Sequence, residues 1–282
     1  MRKAIIAGCG YVGLATARRF AAAGWEVIGL THSTESVERM NAEAFAVVAC
    51  DITDRDQLAG HVQLRGADVV LHCASSGRGG AEQYRNIYLN GAQNLAEVLR
   101  PTRLLFTSST SVYAQTSGEW VSEESSAEPF RETGQILRAT EELVLAAGGT
   151  VTRLAGIYGP GRSVLLRRFL AGEAVIEGDG SRWINQAHRD DIATALLHVA
   201  EAGLNGIFNV CDDTPMTQRA VYEWLAAHFG KPLPPSGRID PNRKRGWTNK
   251  RVGNARLRAT GWAPCYTSFP AALEKSDLLN SA

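Results

Sequence analysis

The chain has no long apolar run and no excess of charge. A transmembrane helix needs about 20 consecutive apolar residues, and no stretch of the 282 residues approaches that length. Lysine and arginine together number 30 against 29 acidic residues, and the net charge of +1 gives no electrostatic reason to expect an anionic partner. We therefore expect neither nucleic-acid binding nor membrane association.

Cysteine is sparse and dispersed. Five cysteines occur, and no two lie at the spacing of a metal site or of a disulfide framework. Scattered thiols are typical of the reducing cytosol. The amino terminus also lacks the apolar run and small-residue cleavage site of a signal peptide. These absences predict a cytoplasmic protein with no metal centre.

Lysine is almost missing. None occurs between Lys3 and Lys231, and none of the seven tyrosines has a lysine four residues later. Residues four apart share a helix face, so no helix can carry a lysine ammonium that lowers the pKa of a neighbouring phenol. One common way of turning tyrosine into a proton donor is therefore absent.

The first half of the chain alternates apolar strands and helices at the spacing of an α/β protein. The pattern predicts a Rossmann fold, a doubly wound parallel sheet with right-handed crossovers. The predicted strands are Lys3–Ala7, Glu26–Leu30, Phe45–Ala49, Asp68–His72, Arg103–Thr107 and Val151–Leu154. The predicted helices are Tyr11–Ala23, Ser33–Asn41, Asp54–Gly60, Glu82–Leu99 and Thr133–Ala147.

After Gly156 the pattern becomes irregular. It predicts helices at Val164–Leu170, Asp190–Ala200 and Thr217–Phe229, a strand at Gly206–Val210, and mostly loop over 231–246. Asp190 or Asp191 is placed to cap the second of these helices. We expect residues 1–155 with 187–211 to form an NAD(P)-binding Rossmann domain. Residues 156–186 with 212–282 should form a small discontinuous substrate-binding lobe, with substrate between the two.

A glycine motif follows the first strand and opens the first helix. In this position G-x-G-x-x-G lets the backbone approach a pyrophosphate, and the helix start favours its charge. The alternative is a glycine-rich turn that only packs helix on strand. The motif predicts cofactor contacts from Gly8, Cys9, Gly10, Tyr11, Val12 and Gly13.

The end of the second strand lacks the acidic residue that would bind the ribose 2′-hydroxyl of NAD. The chain has Thr31, His32 and Ser33 there. Without a carboxylate to repel a 2′-phosphate, NADP is the preferred cofactor and NAD the alternative, although no arginine stands at that tip. His32 is alternatively a solvated loop residue. Asp51, after the third strand, either contacts the adenine amino group or caps the helix at Asp54.

The strand end Phe106-Thr-Ser-Ser-Thr-Ser-Val-Tyr113 resembles the active-site serine segment of extended short-chain dehydrogenases/reductases. Further along, Arg153-Leu-Ala-Gly-Ile-Tyr-Gly-Pro-Gly161 and His188-Arg-Asp-Asp191 resemble signatures of their NAD-dependent epimerase/dehydratase group. The chain looks like its atypical, YeeZ-like subgroup. The resemblance implies further cofactor contacts from Ile52, Cys73, Ala74, Ser75, Gly156 and Ile157, and a homodimer formed through the helices near Glu82–Leu99 and Thr133–Ala147.

Three features depart from the family pattern. The glycine loop is one residue shorter than usual. The Tyr-x-x-x-Lys positions fall on Thr133 and Leu137 in one register, or on Gly134 and Arg138 in the other. The arginine that grips the diphosphate of nucleotide sugars is replaced by Ile184, which cannot make a charge-assisted contact. Nucleotide sugars are therefore poor substrate candidates.

Other side chains must carry any chemistry. Ser109 lies at the family's serine position, and the titratable candidates are Tyr113 and His188. Packed or structural roles remain the alternative for each. The candidate substrate-binding residues are Ser109, Tyr158, Arg162 and Trp183.

Two functional hypotheses follow. The first is an NAD(P)-dependent oxidoreductase or epimerase that acts on a small carbonyl or hydroxyl substrate with a non-standard proton donor, namely Tyr113, His188 or an ordered water. The second is a non-catalytic NADP(H)-binding pseudo-enzyme that serves as a redox sensor or scaffold. The substrate is not identified by the sequence, and fold resemblance does not choose between the two hypotheses.

Overall fold

The computed structural model describes residues 1–77, 79–239 and 247–275. Its main sheet has seven strands in the order β7-β6-β5-β4-β1-β2-β3. The strands are β1 Lys3–Ala7, β2 Glu26–Thr31, β3 Ala46–Ala49, β4 Val69–His72, β5 Arg103–Ser109, β6 Thr150–Leu154 and β7 Gly206–Val210. The order reverses between β1 and β4, which is the switch point of a doubly wound sheet. The predicted fold class is confirmed.

The strands at the middle of the sheet are apolar because both of their faces are covered. Ala4, Ile5 and Ile6 in β1 are completely buried, as are Val70 and Leu71 in β4. Ile5 lies opposite Ile28 on one side and Val70 on the other, and both pairings are parallel. Continuous apolar runs of this kind are typical of strands buried on both faces.

The helices of the first half begin close to where the sequence places them. They are Tyr11–Ala22, Thr34–Arg39, Arg55–Gly60 and Glu132–Ala146. Ser33 and Asp54 are the amino-terminal caps of the second and third, because each side chain accepts backbone N–H groups of the first turn. A capping residue precedes its helix, so the two predicted helix starts at these residues come one position early.

The helical region 81–99 is not a uniform α-helix. It alternates α-helical turns with wider π turns, and it ends at Arg100, whose φ of 44° is left-handed. The segments are Ala81–Tyr84 and Gly91–Asn94, which are α-helical, and Arg85–Asn90 and Leu95–Leu99, which are π-helical. The predicted helix Glu82–Leu99 is present, but its π turns were not predicted.

The chain divides into two compact units. Unit 1 comprises Met1–Val112, Ala127–Arg153 and Ile192–Phe208. Unit 2 comprises Tyr113–Ser126, Leu154–Asp191 and the described part of Asn209–Ala282. The domain boundaries expected from the sequence stay a prediction.

Unit 2 consists of short strand pairs and helices around an apolar cluster. Its pairs join Gly156–Tyr158 to Gln186–His188, Ile176–Glu177 to Ser236–Gly237, Trp183–Ile184 to Met216–Thr217, and Trp120–Val121 to Arg251–Val252. Its helices are Val164–Leu170, Gln218–Phe229, Ala255–Arg258 and Phe269–Lys275, and the helix Arg189–Glu201 begins within it. Phe169, Tyr222 and Phe269 belong to the buried cluster. Of the loop predicted over 231–246, residues 240–246 lie outside the described residues, and the rest contains one short strand.

Candidate functional site

The three glycines of the first loop have different structural roles. Gly8 has a φ of +100°, and a side-chain Cβ there would lie 2.4 Å from the backbone of Ala74. A Cβ on Gly13 would lie 2.1 Å from the carbonyl oxygen of Gly8. At Gly10, by contrast, a Cβ would have no neighbour within 4 Å. Gly8 and Gly13 therefore permit close packing, while Gly10 leaves open space at the start of the helix.

That open space fits a pyrophosphate. The first N–H groups of a helix have no hydrogen-bond partner within the helix. Gly10, the residue before Tyr11–Ala22, has no side chain that could cap them. N–H groups of this kind, at the positive end of a twelve-residue helix, bind anions. The residues present thus fit a dinucleotide at the loop.

Cys9 serves packing in this loop. Its Sγ lies 3.7 Å from the carbonyl oxygen of Ile6, and a Cβ on Gly29 would come within 2.5 Å of it. Burial raises the pKa of the Cys9 thiol to about 12. A thiol that stays protonated is a poor nucleophile, so Cys9 fills space between β1 and β2.

The carboxyl end of β2 carries a group that the sequence analysis missed. Ser33 caps the next helix by accepting the N–H of Ser36, and its hydroxyl also lies 3.1 Å from the hydroxyl of Ser36. The Arg39 guanidinium donates to the same Ser36 hydroxyl at 2.6 Å. Arg39, which follows Ser33 by six residues, therefore bonds to the hydroxyl that contacts Ser33 at the strand end. His32 is beside it with a side chain that is 83% exposed.

Asp51 does not cap a helix. One of its carboxylate oxygens accepts the N–H and the hydroxyl of Thr53, both at 2.8 Å, and the other lies 3.7 Å from Nδ1 of His32. The cap of Arg55–Gly60 is Asp54, so the capping interpretation of Asp51 is wrong. Its contact with adenine stays a prediction. The neighbouring Ile52 is buried against Gly91.

The turn after β4 lies beside the glycine loop. The N–H of Cys73 donates to the carbonyl of Ala7, and Ala74 packs on Gly8. Ser75 accepts from the N–H of Gly77. Tyr88 also belongs to this region, because Ser75 and Ser76 lie close enough to its phenol to affect its pKa. Burial raises the pKa of Tyr88, which makes it a weaker proton donor than a free tyrosine.

Two adjacent serines at the end of β5 have different environments. The Ser108 hydroxyl is buried and donates to Glu141 at 2.6 Å. Ser109 is half-buried, and its hydroxyl accepts the N–H of Ser111. Side chains alternate along a strand, so the two serines lie on opposite faces. Ser109, and not Ser108, has a hydroxyl that can reach a ligand at this strand end.

The helix Glu132–Ala146, on which the family's catalytic positions fall, carries a buried carboxylate that pairs with an arginine. Glu141 is completely buried and accepts three bonds from the Arg153 guanidinium, the shortest at 2.7 Å. Arg138 pairs with Glu141 as well. Leu137 is buried in the core, as its helical spacing predicts, and Gly134 packs against Pro129. Leu137, Gly134 and Arg138 therefore each make structural contacts at these positions.

Tyr113 is enclosed in unit 2. It is completely buried, and its hydroxyl donates to Asn209 Oδ1 at 2.8 Å. Its carbonyl accepts from the Lys250 ammonium at 3.0 Å, and burial lowers the pKa of Lys250 to about 8. The fold thus brings a lysine to a tyrosine, but to its backbone and not to its phenol. The catalytic assignment of Tyr113 stays a prediction, and its burial argues against it.

The remaining candidates also lie in unit 2. His188 and Tyr158 are buried side by side, in the strands Gln186–His188 and Gly156–Tyr158. Gly156 is exposed and Ile157 half-buried in the second of these strands. Arg162 closes a tight turn with Gly159 through two 2.9 Å backbone bonds. Their assigned roles stay predictions.

Trp183 has one neighbour that the sequence did not indicate. The Arg251 guanidinium carbon lies 4.9 Å from the Trp183 ring and 5.1 Å from that of Trp120. A guanidinium at this distance makes a cation–π contact. Stacking of Trp183 on a planar ligand stays a prediction.

The predicted cap of the helix Arg189–Glu201 is wrong. Asp190 and Asp191 both lie inside its first turn. The Asp191 carboxylate accepts the N–H groups of Cys265 and Tyr266, at 2.8 and 3.0 Å. The side chain therefore fixes a distant segment of the chain, which sequence spacing could not show.

Two features are absent from the described residues. No group of histidine, cysteine and carboxylate side chains there is arranged to hold a metal ion. Within the same residues, no helix is both long and apolar enough to cross a membrane.

Comparisons with known proteins agree on one family. Its model, the NAD dependent epimerase/dehydratase family, matches residues 4–211. Protein YeeZ of Escherichia coli strain K12 is 30% identical over 249 residues, 82% of this chain and 85% of YeeZ. A solved structure from Methylobacillus flagellatus, provisionally assigned as an NAD-dependent epimerase/dehydratase, is 29% identical with a TM-score of 0.80 and covers 99% of this chain and 97% of its own. The UDP-glucose 4-epimerase of Thermotoga maritima, solved with UDP-glucose, shares the fold, with a TM-score of 0.81 at 20% identity over 99% of this chain and 98% of its own.

Proposed function

The chain belongs to the NAD-dependent epimerase/dehydratase family, and from that premise we propose that it is an NADP-preferring oxidoreductase or epimerase of a small carbonyl or hydroxyl substrate. The match confirms the resemblance inferred from the motifs. The glycine loop is the observation that carries the proposal. Close neighbours leave no room for a side chain at Gly8 and Gly13, whereas a Cβ at Gly10 would have no neighbouring atom within 4 Å.

The preference for NADP rests on the end of β2. Neither Thr31, His32 nor Ser33 provides the carboxylate that would bind the 2′-hydroxyl of NAD. The Arg39 guanidinium and the Ser36 hydroxyl, bonded to each other at 2.6 Å, offer donors suited to a phosphate. Glu35 and Glu38 on the same short helix carry negative charges that repel a phosphate. The preference for NADP therefore depends on a direct contact of Arg39 with the 2′-phosphate.

The chemistry proposed at the end of β5 uses Ser109. Its half-buried hydroxyl orients the substrate carbonyl or hydroxyl, and a bound nicotinamide supplies or accepts the hydride. The enclosed positions of Tyr113 and His188 favour an ordered water as the proton carrier. Nucleotide sugars, which the Thermotoga relative binds, remain poor candidates, because Ile184 offers no charge to a diphosphate.

A titration of the cofactor-stripped protein tests cofactor binding. We expect NADPH to bind in the micromolar range, at least fivefold more tightly than NADH, with the nicotinamide fluorescence as the readout. Arg39→Ala should weaken NADPH binding about tenfold and leave NADH unchanged, since one charge-assisted contact contributes about 1.5–3 kcal/mol. Arg65→Ala, an exposed arginine before β4, is the matched control.

The outcomes separate the two parts of this proposal. Binding of both cofactors with equal affinity would leave the glycine loop as a cofactor site and remove the NADP preference. Binding of neither cofactor would make the loop a packing feature and refute the proposed function.

Turnover is tested on a panel of small carbonyl compounds with NADPH. We expect Ser109→Ala to lower kcat/KM at least tenfold, while Tyr113→Phe changes it less than threefold. Ser111→Ala is the control, because Ser111 is exposed and contributes only its backbone N–H to Ser109. Tight NADPH binding without turnover on any compound would favour the non-catalytic redox sensor instead.

A further inference from the structure

Among the buried polar atoms of unit 2 that have no hydrogen-bond partner within the described residues, three belong to neighbouring side chains. They are Oη of Tyr158, Nε2 of His188 and Oδ1 of Asp212. Tyr158 and His188 are each 1% exposed and Asp212 is 5% exposed. An unsatisfied buried polar group costs about 1–3 kcal/mol, and native proteins usually meet that cost with an enclosed water. Three such atoms in one region indicate a ligand that is itself polar.

The three residues are neighbours. His188 lies opposite Tyr158 in a parallel strand pair, and their rings meet edge to face with centroids 5.3 Å apart. The N–H of Asp212 donates to the carbonyl of Gln186, in the same strand as His188, at 2.8 Å. The carboxyl group of Asp212 also lies close enough to Tyr158 to raise the pKa of that phenol, after the larger effect of burial.

The backbone fixes which nitrogen of His188 carries the proton. The N–H of Asp190 donates to Nδ1 of His188 at 3.2 Å, so Nδ1 is an acceptor. In a neutral imidazole the other nitrogen, Nε2, is then the donor. Burial lowers the pKa of His188 to about 4, which keeps the ring neutral at physiological pH.

The charged groups around Asp212 are acidic or already paired. Asp191 is occupied by two backbone N–H groups, and Asp213 is paired with Arg258 at 2.9 Å. Arg189 contacts Asp190 at 2.8 Å. No arginine or lysine in the described residues is paired with Asp212, and burial, reinforced by Asp213 and Asp191, raises its pKa to about 8. The remaining neighbours are aromatic: Tyr266, whose ring centroid is 3.9 Å from that of His188, and Phe269, which packs on Tyr158.

We propose that Tyr158, His188 and Asp212 line an enclosed water site in unit 2, in which Asp212 carries a proton at neutral pH and its ionisation loosens the unit. A water accepts the Nε2–H of His188 and donates to Oδ1 of Asp212, and the Tyr158 hydroxyl completes its contacts. A buried water with about three polar partners is a stable part of a fold. The site does not depend on the proposed function, which uses the glycine loop, Arg39 and Ser109 and gives no step to these three side chains.

The water is tested by a crystal structure of the full chain at pH 6.5 and a resolution that shows ordered solvent. We expect density for one water within 3.2 Å of both Nε2 of His188 and Oδ1 of Asp212. Direct bonds among the three side chains, with no water, would refute the site. So would density for a water that contacts none of the three atoms.

The proton is tested by urea unfolding of the cofactor-free chain between pH 6 and 9. A group whose pKa is higher in the folded chain than in the unfolded chain stabilises the fold at low pH. That stabilisation is lost as pH rises through the pKa of the folded chain. For the native chain we therefore expect the unfolding constant to rise up to tenfold per pH unit between pH 6 and about 7.5, and to fall above pH 8, where Lys250, with a pKa lowered to about 8, is neutral in the folded chain and charged in the unfolded chain. In Asp212→Asn, which keeps the shape of a protonated carboxyl, the rise should disappear.

Two further variants keep the test decisive. Asp213→Asn removes the neighbouring, exposed carboxylate and should leave the rise in place, because burial is the larger cause of the raised pKa of Asp212. Tyr158→Phe removes one partner of the water but not the titrating group, so it should also keep the rise. An unchanged rise in Asp212→Asn would overturn the proposal. If Asp212→Asn does not fold, a native chain with a flat profile would overturn it equally.

Discussion

Gly8 and Gly10 stand two residues apart and have opposite requirements. Gly8 has a left-handed φ and the backbone of Ala74 against it, whereas Gly10 has an ordinary φ of −85° and open space. We predict that Gly8→Ala lowers the free energy of unfolding by about 2 kcal/mol or more, because the strained φ and the clash add. Gly10→Ala should keep the stability within about 0.5 kcal/mol but weaken NADPH binding at least tenfold, since its methyl group occupies the pyrophosphate's place.

Urea unfolding and NADPH titration of the two variants separate these effects. Loss of stability in Gly10→Ala would mean that the space beside Gly10 is part of the packing. Full NADPH affinity in that variant would mean that the pyrophosphate lies elsewhere.

Residues close in sequence were easier to interpret than residues that the fold brings together. The glycine loop was predictable because strand, loop and helix are consecutive. Arg39 was missed because it follows Ser33 by six residues, and only a helix turn brings it back to Ser36. The burial of Tyr113 and His188 depends on Asn209 and on Tyr158, which are distant in sequence. No local pattern shows such contacts.

The helix Glu132–Ala146 is fixed to two strands by one buried carboxylate. Glu141 accepts from Arg153 in β6 and from Ser108 in β5. We predict that Glu141→Leu lowers the free energy of unfolding by about 3–5 kcal/mol, because it leaves the Arg153 guanidinium buried without its carboxylate. Equilibrium unfolding in urea measures the change.

Glu142→Leu is the matched control for this helix. Its side chain is 68% exposed and pairs with Arg138 at the surface, so the loss should stay below about 1 kcal/mol. Equal losses in the two variants would contradict a special role for the buried carboxylate. The double variant Glu141→Leu with Arg153→Leu should recover part of the loss, because no charge is then left unpaired.

The elements themselves followed from the sequence to within one or two residues at most ends. Strands such as Lys3–Ala7 have continuous apolar runs that only a doubly covered sheet buries. The π turns inside 81–99 did not follow, because one extra residue per turn leaves the apolar pattern of a helix almost unchanged. The short strand pairs of unit 2 have two or three residues each, too few to show a period.

The stability of the whole molecule should depend on pH through buried groups in both units. In unit 1 burial lowers the pKa of His72 to about 4, and in unit 2 it does the same for His188. A histidine with a lowered folded pKa loses stabilisation as pH falls from its ordinary value of 6.5 toward 4. Asp212 has a pKa raised from 3.8 to about 8, so its stabilising effect is lost as pH rises toward 8.

These slopes combine into an asymmetric profile. Between pH 6.5 and about 7.5 Asp212 dominates, so the unfolding constant rises with pH by up to tenfold per unit, and above pH 8 Lys250, whose pKa burial lowers from 10.5 to about 8, reverses that slope. Between pH 6.5 and 4 the unfolded chain binds up to two more protons than the folded chain at the two histidines, and one fewer at Asp212. The unfolding constant therefore rises by up to tenfold per unit as pH falls. We therefore predict a local maximum of stability near pH 6.5 for the native chain. In Asp212→Asn the rise of the unfolding constant between pH 6.5 and 8 should be absent, and the acid side should steepen toward a hundredfold per unit, because the cancelling proton is gone. Urea unfolding from pH 4.5 to 9 measures both sides, and an acid side unchanged by Asp212→Asn would contradict the raised pKa of Asp212.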